Sequence, residues 1–189
     1  VPCLLSLAFV PFAAAQNGSA GNDITDKMVA KPVMQWRFDD AKEPGPRAPS
    51  YRGFPKENTA IRFAGEGKKA LTIKDSAELR FGLNDTITLE AWVKAPGLSG
   101  TPYIIGKGRL GTKEFGQSNQ NYALRLQTVK GGAQIGFLFH SADVPGKKGD
   151  WHRWWSKDTL PTMGWHHLAV TYTFGKPNSI KGFIDGRET

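Results

Sequence analysis

The chain has 189 residues, 39% of them hydrophobic, with 25 Lys and Arg against 17 Asp and Glu for a formal net charge of +8. That length suits one domain rather than two and is enough to bury roughly 70% of the unfolded surface around a single core. The basic balance favours acidic partners through long-range attraction, and the one cysteine excludes a disulfide framework.

Residues 1–15 form an apolar block closing on Ala13-Ala14-Ala15, the pattern of a signal-peptide h-region and its small-residue cleavage site. Cleavage there leaves Gln16 as the mature N-terminus and removes Cys3. The block is shorter than the ~20 apolar residues a transmembrane helix needs. No transmembrane segment is therefore expected, and the destination is secreted or periplasmic. With no initiating Met and no basic residues ahead of the block, the true start is placed upstream. The alternative reading is an apolar N-terminal strand of the domain. Residues 16–32 are polar and rich in small residues, as in a linker, and the domain proper is assigned to 33–189. Within it, Lys42 to Lys56 carries four prolines and reads as a long loop.

From there the pattern is one of short apolar/polar alternations between turn residues, with no helical spacing. The predicted strands are Val33 to Phe38, Ala60 to Phe63, Ala70 to Ile73, Glu78 to Phe81, Thr86 to Ala95, Tyr103 to Gly106, Tyr122 to Gln127, Gln134 to His140, His166 to Thr173 and Ile180 to Ile184. Thr86 to Val93 places Ile87, Leu89, Ala91 and Val93 on one face and Thr88, Glu90 and Trp92 on the other; His166, Leu168, Val170 and Tyr172 likewise share a face opposite His167. This is an all-β pattern of two packed antiparallel sheets, a sandwich or jelly roll. The last strand runs into Asp185-Gly186, a hairpin turn signal with only Arg187, Glu188 and Thr189 after it, so further closing strands are expected outside this sequence.

Between the strands, Trp151, Trp154 and Trp155 crowd with His152, Arg153, Lys147, Lys148 and Lys157 into a predicted loop. Aromatic faces stack on the apolar faces of sugar rings while cationic donors hold hydroxyl, carboxylate or sulfate oxygens. Trp151, Arg153, Trp154 and Lys148 are the candidate ligand-binding residues. Against this stands a core-capping role for one or more of the tryptophans. His166 and His167 are neighbours on a strand, point to opposite faces and cannot share a metal. Asp39 and Asp185 lie at turns and are candidate calcium ligands beside a reading as turn formers, a structural calcium being the cofactor this would imply. Glu90 has no acidic partner at Thr88, Trp92 or Lys94, and no Gly-x-Ser-x-Gly elbow is present, so the segment is not expected to be an enzyme.

In order along the chain, Trp36-Arg37-Phe38-Asp39, Ile87-Thr88-Leu89-Glu90-Ala91-Trp92-Val93-Lys94, Ile104-Ile105-Gly106-Lys107-Gly108, Tyr122-Ala123-Leu124-Arg125-Leu126, Gly164-Trp165-His166-His167-Leu168-Ala169-Val170-Thr171-Tyr172 and Ile184-Asp185-Gly186 resemble the successive strands of a laminin-G-like, concanavalin A-like jelly-roll domain. A looser similarity, through Trp151-His152-Arg153-Trp154-Trp155 and Gly175-Lys176-Pro177-Asn178, is to domains of large secreted planctomycete-type bacterial proteins. The resemblance implies a non-catalytic extracellular recognition module for a carbohydrate or cell-surface polymer, and the basic balance adds acidic glycans or a negatively charged cell envelope as candidates. The alternative it leaves open is a structural or protein-contact module working with other domains of the same polypeptide. Nucleic acid is not an expected partner.

Overall fold

A computed structural model describes residues 32–63, 70–108 and 120–189, together with the backbone of Leu5–Ala8. The strands are β1 (Leu5–Ala8), β2 (Glu43–Pro44), β3 (Thr59–Phe63), β4 (Thr86–Lys94), β5 (Tyr103–Lys107), β6 (Tyr122–Val129), β7 (Gly132–His140), β8 (Trp151–Trp155), β9 (His166–Thr173), β10 (Lys181–Ile184) and β11 (Arg187–Glu188). They form a seven-stranded sheet in the order β11-β10-β9-β4-β1-β3-β2 and a four-stranded sheet in the order β5-β6-β7-β8. Every pairing is antiparallel. The architecture is the expected all-β sandwich.

Alternation builds the core. In β4, Ile87, Ala91 and Val93 are at most 2% exposed, while Thr88 and Glu90 face outward. In β9, Leu168 and Val170 are fully buried on the same side. These residues meet Tyr122, Leu124 and Leu126 of β6 and Ile135, Phe137 and Phe139 of β7 across the sandwich. Each such leucine contributes about 2 kcal/mol of transfer free energy. The β6–β7 hairpin turns through Lys130 and Gly131, with Gly131 at φ +88°, a conformation most side chains resist. At the other end, Asp185 and Gly186 both have positive φ, as a type I′ turn demands, and the turn returns the chain so that Arg187 pairs with Ile184.

Several expected strands do not form. Val33 to Phe38 and Ala70 to Ile73 are irregular. Leu71 and Ile73 remain 48% and 41% exposed, so no apolar face holds them against the core. The segment expected at Glu78 to Phe81 begins instead as a short 3-10 turn, Ala77–Leu79. Conversely, Trp151–Trp155, expected in a loop, is the edge strand of the smaller sheet, in register with Gly136 to His140.

β1 lies inside the segment read as a signal peptide and pairs antiparallel with β3 and β4. The rest of that segment lies outside the described residues, as do the linker at 16–32 except for its last residue and the stretches 64–69 and 109–119. Among the described residues no helix is long and apolar enough to cross a membrane.

Candidate functional site

The smaller sheet has one face in the core and one face outward, and β8 presents its side chains alternately to the two. Trp151, Arg153 and Trp155 go outward; His152 and Trp154 go inward. Inward, His152 stacks on Phe139 with ring centroids 4.4 Å apart, and Trp154 packs against the core cluster. A Cβ at Gly182 of β10 would run into the Trp154 ring, so that glycine supplies the space the indole occupies.

The outward row is laid out by the register. Trp155 stands opposite Gly136, which stands opposite Arg125 of β6. Gly136 has no side chain to hold the indole off: a Cβ there would meet the Trp155 ring. The ring consequently lies across the sheet, and the Arg125 guanidinium sits 4.5 Å from its centroid. At the strand's beginning the Arg153 guanidinium lies 5.1 Å from the Trp151 centroid, and His140 meets the same indole edge-on at 5.1 Å. The Trp151 backbone N–H donates to Asp150 Oδ1 at 2.7 Å, which fixes the strand's start. Two indoles and two guanidinium groups thus interleave on one sheet face, with cation–π contacts holding each cation in place.

Arg125 is only 9% exposed, whereas Arg153 is exposed. Among the described residues no carboxylate lies within ion-pair distance of Arg153. Its planar fork of N–H donors is stacked, oriented and open to an incoming anion.

Of the four residues singled out from sequence, the structure brings Trp151 and Arg153 together. It sends Trp154 to the opposite side of the sheet. Lys148 sits in the β7–β8 connection, where its Nζ contacts Asp143 Oδ2 at 2.7 Å and Asp143 Oδ1 accepts the Gly149 N–H at 2.8 Å. The hydrogen bond from Lys148, then that from the Gly149 N–H, hold the Asp143 carboxyl below the usual carboxylate range. Sequence reading weighed Trp155 within the tryptophan cluster without choosing it, and passed over Arg125. The signal was present: period-two alternation through Trp151-His152-Arg153-Trp154-Trp155 pairs the first, third and fifth residues, not the first and fourth.

The calcium candidates lie away from this face. Asp185 Oδ2 bonds His166 Nδ1 at 2.7 Å, and its Oδ1 accepts the His167 N–H at 2.9 Å, so both oxygens tie the turn to β9. Asp39 is an exposed turn residue whose carbonyl receives the Thr59 hydroxyl at 3.5 Å. Among the described residues no group of three or more His, Cys, Asp or Glu side chains comes together to hold a metal. On the far face of the larger sheet, His167 Nε2 lies 3.4 Å from Glu90 Oε2. That hydrogen bond, chiefly, lowers the Glu90 pKa. Beside it Trp92 packs edge-on to Tyr51 and Phe54, which folds the proline-rich loop over this face.

No curated protein and no solved structure matches the chain. The family model Laminin_G_3, described as the concanavalin A-like lectin/glucanases superfamily, matches residues 65–189, a span that runs from the approach to β4 through the site on β8 to β11. With its two antiparallel sheets, an all-β core between them and that match over more than half of its length, the chain belongs to the concanavalin A-like lectin/glucanase superfamily, as a laminin-G-like carbohydrate-binding or interaction domain.

Proposed function

We propose that this domain is a non-catalytic, secreted recognition module that binds an acidic glycan along the outward face of β8. The single observation carrying this reading is the row Trp151, Arg153, Trp155, in which an exposed guanidinium without a carboxylate partner among the described residues stands between two indoles. Residues two apart on a strand are about 7 Å apart, so the row offers stacking surfaces about 13 Å apart with a donor fork between them. A uronate or sulfated sugar suits that order: ring faces on the indoles, the anionic group on Arg153.

The carboxylates support the non-catalytic part. A glycosidase general acid needs a raised pKa. The shifts resolved for Asp75, Glu78, Glu90 and Asp143 are all downward, led by hydrogen bonds to Lys107, Ser76, His167 and Lys148 in turn.

The test is electrophoretic mobility in gels containing a uronic-acid polysaccharide. Wild type should be retarded, and Trp151→Ala and Arg153→Ala should each migrate as in an empty gel with unchanged far-UV circular dichroism. Retardation of both variants equal to wild type would remove the site from this face.

A further inference from the structure

The outward face of the smaller sheet carries one more group able to become a cation. His140 stands in register with Trp151, so its side chain projects on the same face as Trp151, Arg153 and Trp155. Its imidazole meets the Trp151 indole at 5.1 Å and 82°, and the Arg153 guanidinium lies 5.1 Å from the centroid of that same indole. The chain around the ring keeps it there. The His140 N–H donates to the Gln120 carbonyl at 2.9 Å, and a Cβ at Gly149 would run into the Ser141 carbonyl and stand 2.9 Å from His140 Cε1. Glycine at 149 therefore lets the β7–β8 connection pass close beside the imidazole.

The charged neighbours decide what an imidazolium would meet. β8 brings Arg153, the β7–β8 connection brings Asp143, Lys147, Lys148 and Asp150, and the chain entering β6 brings only neutral Gln120 and Asn121. Asp143 already holds Lys148 on Oδ2 and the Gly149 N–H on Oδ1, while Asp150 Oδ1 accepts the Trp151 N–H. Lys148 is the first cause holding the Asp143 carboxyl low and the charge of His140 the last, so that carboxylate answers to the lysine. Among the described residues no carboxylate lies within ion-pair distance of His140 or of Arg153. Histidine changes charge between pH 5 and 8. Protonation thus sets two cations against one indole, and an anionic group docked on Trp151 meets both.

We propose that His140 is a second, pH-gated cation of this site, which makes the domain hold an acidic glycan more tightly as its surroundings acidify. The inference rests on the reading of the β8 face as an acidic-glycan site and adds its regulation. The sign follows from linkage: an anion beside an imidazole favours the protonated form, so binding takes up protons and weakens as the pH rises.

The experiment is calorimetric titration of the full chain with a sulfated dextran fragment, which stays anionic throughout, at about pH 5.5 and about pH 8 and at one ionic strength. Wild type should bind up to about tenfold more tightly at the lower pH, the ratio conferred by a one-unit rise in a group's pKa on binding. Titration in buffers of different ionisation heat should show net proton uptake. His140→Gln should bind equally at the two pH values, a ratio that a merely structural role of His140 would not change, and Arg153→Ala should lose binding at both. Equal wild-type affinity at the two pH values, zero proton uptake, or an undiminished pH ratio in His140→Gln would each overturn the gating while leaving the Arg153 site standing. Absence of wild-type binding at either pH would overturn the glycan reading and the gating with it.

Discussion

Trp154 and Trp155 are adjacent and act on opposite sides of one sheet. Trp154 fills the space above Gly182, so Trp154→Ala leaves a cavity in the core cluster and should lower stability by about 3 kcal/mol while sparing affinity per folded molecule. Urea titration beside a gel-retention assay separates the two effects; loss of retention at unchanged stability would put Trp154 in the binding face after all. The crowd of three tryptophans was legible in the sequence as a mixture of binding and packing, but the partition was not. It depends on Gly136 and Gly182, each far from β8 in the chain and opposite it in space. Glu90 gives a pH signature. Its folded-state pKa is depressed, chiefly by the hydrogen bond from His167, so its contribution is present above the unfolded value of 4.5 and lost as the pH falls through the lower folded value. About half of its side chain is exposed, which discounts the effect to below ~1 kcal/mol. Glu90→Gln should therefore be slightly less stable than wild type at pH 7 and indistinguishable from it near pH 3; an equal deficit at both pH values would contradict the pairing.

At the scale of the element, the strands that sequence alone located are those where alternation meets a deep core: β4 and β9 extend within a residue of their expected bounds. Missed or misplaced elements are those whose pairing is decided by a distant partner. β8 carries no β-branched residue and reads as loop chemistry, yet it completes the sheet beside β7, where the chain's own glycine makes room for its last indole. Leu71 and Ile73 show the reverse case, a β-prone pair left at the surface, with no strand pairing to it among the described residues. Gly136 is the position where the element and the site are coupled. Gly136→Ala should force Trp155 off the sheet and away from Arg125, costing about 1–3 kcal/mol by overpacking. Thermal unfolding should show a lowered Tm, accompanied by stronger iodide quenching of tryptophan fluorescence. An unchanged quenching profile would mean that the indole does not depend on that glycine.

For the whole molecule, sandwich topology and charge work together. The net charge of +8 favours polyanions at long range, and in the proposed reading the guanidinium of Arg153, stacked on Trp151, sets where they dock. The fold class could be read from the sequence because turn-separated alternation is repeated along most of the chain. The site face could not, because it is assembled from β6, β7 and β8 only once their registers are set. Exposed charge attraction is screened over a Debye length of about 10 Å at 0.1 M salt, so binding that depends on the Arg153 guanidinium should weaken as salt rises. The most direct measurement is retardation of wild type and Arg153→Ala in gels of an acidic polysaccharide and of a neutral one, each at low and high ionic strength. An acidic-glycan site on the outward face of β8 predicts strong, salt-sensitive retardation of wild type by the acidic polymer alone, abolished in Arg153→Ala. Equal mobility of the two proteins on the acidic polymer at low salt would contradict it.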